Sequence, residues 1–480
     1  MLQYPPSPQD SARLSAYDKF QKLYLGEHYE AFNIKNTQMG KDYDKLQYLA
    51  TNFAGLISRL SADMLFEEFP TIRLPEGDDD FLHNLFFKNS LKTQIYESGL
   101  EQSFRGDVVF RIRAENKEVV VEDINPACYF PHFDTSNVRA EPDYKALAWT
   151  ISLGTPTGTT KERLGVFIEK HYKGRIVTEL YELDGDKLGA KLPLNDYYPD
   201  VQEEVQTGVN EFLVVHIPNQ RINTMWNGLS DYYDLQPLMQ AINNRLTRID
   251  IILNKHADPI LMVPKGVLDD EGKVRREAMG TIEIDTGDSA GSMPQYIVWD
   301  ANLESAFKEI ERLVDNLFMT GEVSQAAFGM DAGGYAESGR ALKYKLLRTI
   351  AKKHRKELYY DDGLKRLFYV AQMFAKVNNY TVNGYKIKKD AVIPEIIWKD
   401  GVINDTLDAI EAEERALNAG LTTKEDAISR VYGLSETEAK EKMDEIAEEK
   451  KNAIPNFNVA PKFDPNMTKG GNQDDGDGKK

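Results

Sequence analysis

Cysteine is almost missing from this sequence. Cys128 stands alone among 480 residues. One cysteine excludes an intrachain disulfide framework and any zinc cluster built on cysteines. That fits a reducing compartment, or a particle assembled in one. Long apolar runs are missing too, since none approaches the roughly 20 residues a helix needs to cross a bilayer. The N-terminus, MLQYPPSPQD, lacks the basic-then-apolar order of a secretory signal. The chain is therefore expected to be soluble and unprocessed, with no membrane partner. Net positive charge is also absent. The formal charge is -18, which favours solubility and argues against wrapping nucleic acid with the whole surface. Local basic stripes remain compatible with it.

Catalytic signatures are as scarce. There is no G-x-x-x-x-G-K-[ST] loop. GTPTGTTK, from Gly154, has the wrong spacing and sits in a β-rich stretch, so it reads as a hairpin or loop. The histidines, His28, His83, His132, His171, His216, His256 and His354, are scattered, and none forms an H-x-x-x-H pair. PHFD offers His132 and Asp134 to a metal without a third ligand, so a plain loop histidine is the better reading. The run Asp78–Asp80 reads as a solvated turn. The expectation is a non-enzyme, with no catalytic residue, no cofactor and no metal.

What is present is a hydrophobic content of 41%, enough for sizeable cores, on a length that allows two to four domains. Residues 10–110 read mostly helical. Phe53, Leu56, Ile57, Leu60, Met64 and Leu65 fall at helical spacing. From Asp107 to about His216 the period shifts toward two. VVFRIR, EVVVEDI, ALAWTISL, RLGVFIEKHY, RIVTELYEL and EFLVVHI are strand candidates, and ELDGDKLG a hairpin turn. Helix returns from Leu235 to His256, a span of about 33 Å at 1.5 Å per residue. An insert with strand and turn signals follows. A second helix carries the stripe Leu303, Phe307, Ile310, Val314 and Leu317. A glycine-rich join leads to a helical pattern from about Ser338 to Lys376, longer than most globular helices. YTVNGYKIKKDAVIPEIIW looks like a short β-unit. Thr422 with Glu425, and Ser435 with Glu438, have capping-box spacing for short final helices. The tail TKGGNQDDGDGKK is expected to be disordered. So extended a monomer buries little of its own surface, and its apolar stripes call for neighbouring copies, as in a ring.

This order resembles the portal proteins of tailed bacteriophages. NFAGLISRLSADMLFEEFPTI looks like the family's N-terminal helix ending before a proline. VVFRIRAENKEVVVEDINPACYFPHFD looks like its following β-segment. FLVVHIPNQRINTMWNGLSDYYDLQPLMQAINNRLTRIDIILNKHADPILMVP is the closest stretch: a strand, an asparagine, a Gly-x-Ser-Asp turn, a long helix and a proline-bounded strand. ESGRALKYKLL resembles the entry to the family's longest helix, and the stretch from IIWKDGV to EKMDEI its C-terminal β-to-helix passage.

The resemblance implies an α+β fold, mainly helical with a β-rich wing region, in a ring subunit with wing, stem, clip and crown. The wing would take 1–230, the stem helices 231–256 and 301–319, and the clip 257–300. The tunnel loop would be 320–337, the long helix 338–376, the wing β-unit 377–402, the crown 403–450 and a flexible tail 451–480. It further implies a homo-oligomeric ring, typically of twelve subunits, at one capsid vertex of the virion, assembled in the host cytoplasm. Double-stranded DNA would pass through it during packaging and ejection. The terminase large subunit and a head-tail adaptor would dock on it, beside major capsid and scaffold proteins. Two alternatives stay open: another ring-forming capsid or scaffold protein, and a metal-dependent nucleic-acid enzyme.

Site residues follow from these parts. The tunnel loop would present Gly321, Ser324, Gln325, Ala326, Ala327, Phe328, Gly329, Met330, Gly333, Gly334 and Tyr335. No Lys or Arg lies between Arg312 and Arg340, so the loop would encircle DNA without gripping its phosphates. Phe328 and Tyr335 would anchor the loop or brush the duplex. From Glu337 to Lys376 there are eleven Lys and Arg against four acids, a local +7. Lys345, Arg348, Lys352, Arg355 and Lys356 step mostly by three or four. They read either as a stripe facing DNA or as a face paired with acids of a neighbouring subunit, or simply solvated. Lys265, Asp269, Asp270, Lys273, Arg275 and Arg276 would form the clip's docking surface, setting encounter and specificity more than affinity.

Overall fold

A computed structural model describes residues 7–34, 48–133, 137–155, 162–185, 187–257, 260–262, 295–297, 303–330, 339–399, 406–432, 434 and 436–452. The chain divides into two compact units, Met1–Val402 and Ile403–Lys480.

The first unit opens with α1 (Pro8–Leu25) and α2 (His28–Ala31). Ser7 caps α1 through its Oγ, which accepts from Asp10 N at 3.1 Å, and Pro8 sits where a missing N–H costs nothing. Then come α3 (Phe53–Phe66), β1 (Thr71–Arg73), α4 (Asp79–Asn89) and α5 (Leu91–Arg105). The period-two region yields β2 (Asp107–Glu115), β3 (Glu118–Ile124), β4 (Tyr129–His132), β5 (Tyr144–Ser152), β6 (Leu164–Tyr172), β7 (Arg175–Asp184), β8 (Lys187–Leu192), β9 (Glu204–Gln206) and β10 (Val214–Pro218). The stripe that begins at Leu235 becomes α6 (Gln236–Ala257). Within the insert, β11 (Ile260–Met262) pairs antiparallel with β12 (Gln295–Ile297). Then follow α7 (Glu304–Thr320), α8 (Gly339–Asn378), β13 (Thr381–Val382), β14 (Tyr385–Lys386) and β15 (Glu395–Ile397).

Two sheets organise this unit. One runs β4-β5-β6-β7-β8, with β9 also on β7. The other runs β10-β2-β3-β13-β14, so the late β13–β14 hairpin extends a sheet begun some 260 residues earlier. That hairpin turns through Asn383 and Gly384, both with positive φ, as a two-residue turn requires. β15 pairs with β1 in the same long-range way.

The larger core lies between the second sheet and helices α4, α5 and α8. On α8, Tyr360, Leu364, Leu367, Phe368, Ala371 and Ala375 are fully buried at helical spacing. Gly363 sits among them because α8 presses on β10. A Cβ there would lie 2.5 Å from Cγ1 of Ile217. The second core joins α1, α3, α6 and α7 through Phe20, Leu23, Ile57, Tyr232, Leu235, Met239, Ile242, Leu317 and Phe318.

The acidic run at 78–80 is not a solvated turn. Asp78 is buried and caps α4, accepting from Phe81 N at 3.2 Å. It also accepts from Lys388 N at 2.7 Å and Tyr385 Oη at 2.8 Å, pinning the β14 hairpin. Burial alone would raise its pKa, but these donors outweigh it and hold the carboxylate below its ordinary range. His132 lies on β4 and stacks on Tyr144 at 4.8 Å. Asp134 and the stretch 156–161 of GTPTGTTK lie outside the described residues.

The second unit contains α9 (Thr406–Asn418), α10 (Lys424–Tyr432) and α11 (Glu436–Asn452). Arg430 grips Glu413 with two bonds, at 2.8 and 2.9 Å. The cap of α10 falls one residue later than its sequence spacing predicts. Thr423 Oγ1 accepts from Asp426 N at 3.1 Å and donates to its carboxylate at 2.7 Å, so Thr422 and Glu425 are not the capping pair. Ser435 and the tail 453–480 lie outside the described residues.

Candidate functional site

The site forms where α7 stops and α8 begins. The described part of the join, 321–330, is an ordered turn. α7 ends when Glu322 N donates to Met319 O at 3.1 Å and Val323 N to Phe318 O at 3.0 Å. Those two bonds are a Schellman ending, and Val323 packs in the same core as Phe318. The left-handed position is Glu322, at φ 54°, where glycine is usual. Ser324 then caps a short 3-10 turn, Gln325–Phe328, and Gly329 leaves it at φ 67° with open space around its Cα.

Four side chains of α8 hold this turn from the other side. Thr349 Oγ1 accepts from Ser324 N at 2.9 Å. Lys352 Nζ donates to Gly321 O at 3.0 Å. Arg355 and Arg348 both pair with Glu322, Arg348 at 3.3 Å. Phe328 lies 5.5 Å from the Phe318 ring and packs against the helical core. Its ring is thus engaged by protein. Met330 is exposed. Gly333, Gly334 and Tyr335 lie outside the described residues, as do Lys265, Asp269, Asp270, Lys273, Arg275 and Arg276.

The basic stripe of α8 does not share one environment. The inner face of the helix runs Leu346, Thr349, Lys353, Lys356 and Tyr360, all buried. Lys356 Nζ lies 3.1 Å from Asp231 Oδ2, 3.1 Å from Asn219 Oδ1 and 3.4 Å from Gln102 Oε1. Lys352 Nζ lies 3.4 Å from the same carboxylate. Lys352 and Lys356 therefore depart from the solvated or DNA-facing stripe: a buried acid of their own chain holds them. Lys345, Arg348 and Arg355 are exposed.

Asp231 comes from the Gly-x-Ser-Asp turn, and the backbone around it explains those residue types. A Cβ on Gly228 would lie 2.1 Å from Gly106 O, and one on Gly106 2.7 Å from Gly228 O. Two chain segments thus pass with only glycine between them. Ser230 Oγ donates to Phe104 O at 2.7 Å. Asp231 accepts from Ser103 Oγ at 2.7 Å and Asn219 Nδ2 at 3.0 Å. Burial alone would raise its pKa, but Lys352, Lys356 and these hydrogen bonds hold it far below the carboxylate range. Lys356 shifts the opposite way for an ion-paired lysine: burial pushes it down to about 8, against the pull of Asp231. The two shifts are compatible because one carboxylate serves two ammoniums and Lys352 repels Lys356. The carboxylate is over-compensated and the ammonium under-compensated.

Sequence reading missed this cluster. The signal was available in the polar residues of GLSD beside a long helix that carries lysines four apart. It missed Asn243 and Thr247 as well. They are buried on α6 and accept from Thr51 N at 3.1 Å and Leu49 N at 3.0 Å, fixing the entry to α3.

The chemistry assembled here is mechanical. Buried ions and hydrogen bonds clamp one turn to a long helix and to the strand-turn before α6. An α+β structural subunit is the class this arrangement defines. Residues 7–456 match the model of the family described as Phage portal protein, SPP1 Gp6-like, and the chain belongs to that family. No curated protein matches it. Among solved structures, a chain from the virion of a native gene transfer agent particle is similar at 10% identity and a TM-score of 0.44. That match covers 80% of this chain and 89% of the other. So loose a likeness adds no weight to the family assignment.

Proposed function

We propose that this portal protein forms a homo-oligomeric ring, typically of twelve copies, at one vertex of the capsid. Double-stranded DNA passes along the ring axis during packaging and ejection. The terminase large subunit and later a head-tail adaptor dock on residues 257–300 as the clip, while capsid and scaffold proteins surround the wing. In this reading α6 and α7 are the stem, 320–337 the tunnel loop, α8 the helix behind it, and α9–α11 the crown.

The observation that carries the reading is the ordered turn 321–330, tied by Thr349, Lys352 and Arg355 to a helix of 40 residues. A loop near moving DNA must yield without detaching, and a clamp at its base with small residues beyond it meets that need. A second support is exposed apolar surface on α7. Phe307 of its stripe is 47% exposed and Met319, off the stripe, 72% exposed, so apolar surface remains for a neighbouring copy.

The exposed cations Lys345, Arg348 and Arg355 are then the members of the stripe available to DNA, and Glu322 tempers the two arginines. Such tempering suits a channel, because phosphates gripped tightly would stall movement. Imaging the purified full chain by negative-stain electron microscopy tests the reading. Rings with an axial channel wide enough for duplex DNA are expected. A closed lattice, or only monomers at micromolar concentration, would refute it.

A further inference from the structure

A cavity of about 430 Å³ opens beside β5, β10 and α8. Four cations, Arg139, Lys145, Arg221 and Arg366, line it against a single carboxylate, Glu141. Lys145 is buried, donates to Val214 O at 2.7 Å and sits 4.9 Å from the centre of the Phe212 ring. Among the described residues no carboxylate pairs with it.

The acids that act on Lys145 are already engaged. Glu141 holds Lys173 at 2.6 Å and Arg366 at 3.0 Å. Glu211 holds Arg366 at 3.0 Å. His216 is committed to Asp107 at 2.7 Å. Neither Arg139 nor Arg221 has a guanidinium partner among the described residues. Burial, reinforced by Arg366, pushes the Lys145 ammonium down to about 7. A buried ammonium without a carboxylate is costly, and the two arginines lining the same cavity carry forked donors suited to tetrahedral oxygens.

We propose that this cavity binds a phosphate-type oxyanion, held by Lys145, Arg139 and Arg221. The oxyanion comes either from free inorganic phosphate or from a nucleic-acid backbone, and the cavity chemistry is the same for both.

Calorimetric titration of the full chain with inorganic phosphate, at constant ionic strength in chloride, tests this. Saturable binding at one site per chain is expected. Lys145→Met should weaken it at least tenfold. The double substitution Arg139→Ala, Arg221→Ala, which leaves buried packing intact, should do the same even if the lysine variant fails to fold. A short DNA duplex is the second arm. Competition between duplex and phosphate assigns the site to backbone phosphate, and its absence assigns it to the free ion. Phosphate binding no tighter than chloride, or equal binding by wild type and the arginine double variant, overturns the proposal.

Discussion

Lys352 spans the space between Asp231 and the end of α7, lying 3.4 Å from the Asp231 carboxylate and donating to Gly321 O at 3.0 Å. One side chain thus links the turn, the long helix and the segment before α6. Removing the carboxylate leaves two lysines crowded without it. Asp231→Ala is predicted to destabilise the first unit by about 3–5 kcal/mol, the range seen when one member of a buried pair is deleted. Adding Lys356→Met should recover part of the loss, since it removes the stranded ammonium. Denaturant melts of the three proteins check this. Equal stability of wild type and Asp231→Ala would show that the cluster does not hold the turn.

Substitutions on α8 should separate by environment rather than by charge. Arg348→Glu and Arg355→Glu act on exposed groups whose ion pairs are worth about 0–1 kcal/mol. They are predicted to leave the melting temperature nearly unchanged while altering DNA packaging in an in vitro assay. Lys356→Glu places an acid beside Asp231 and is predicted to prevent folding. Packaging at the wild-type rate by both arginine variants would remove DNA contact from the account.

The close pass of Gly106 and Gly228 predicts a severe effect from a single methyl group. Gly228→Ala must displace backbone rather than a flexible side-chain tip. A loss on the order of 3 kcal/mol is expected, at the upper end for overpacking. Gly329→Ala, at a positive φ but in open space, should cost about 1–2 kcal/mol. Thermal melts of the two variants give the order directly.

Asp123 supplies a pH dependence. Burial, then the nearby Glu101 charge, pushes its pKa up to about 8. Among the described residues its Oδ1 has no hydrogen-bond partner. The folded state therefore keeps a proton that the unfolded state releases near 4. Stability from this group is present below about pH 4 and is lost as pH rises to about 8. Asp123→Asn is predicted to flatten that fall and to melt higher than wild type at pH 8. A steeper fall in the variant would contradict the assignment.

Much of this structure was legible in the sequence, and the limits have physical causes. The apolar stripe of α6 and the long helical pattern of α8 placed both helices to within two residues of their ends, because helical periodicity persists through a buried face. Strands β2, β3, β5, β6, β7 and β10 followed from alternation and turn residues. Pairing was not legible: β13 with β3 and β15 with β1 join segments hundreds of residues apart, and no local pattern encodes them. Charge on α8 was read as a surface property, yet Lys352 and Lys356 point inward. A lysine count along a helix cannot reveal an acid arriving from residue 231. Asp78 misled in the same way, since its partners Tyr385 and Lys388 come from the far end of the unit. Phe328 was read with two roles open, and its packing on Phe318 follows from the Schellman ending that turns the chain back onto α7.

The central claim is that the turn after α7 faces the axis of a ring. Cys128 is buried and its thiol is pushed up to about 11, so a cysteine introduced at Ala326 can be labelled selectively. Ala326→Cys in the full chain, tagged with a maleimide gold cluster and imaged by electron microscopy, is the direct measurement. Gold density at the centre of a ring is predicted. Gold on the outer rim, or particles with no ring, would contradict the account.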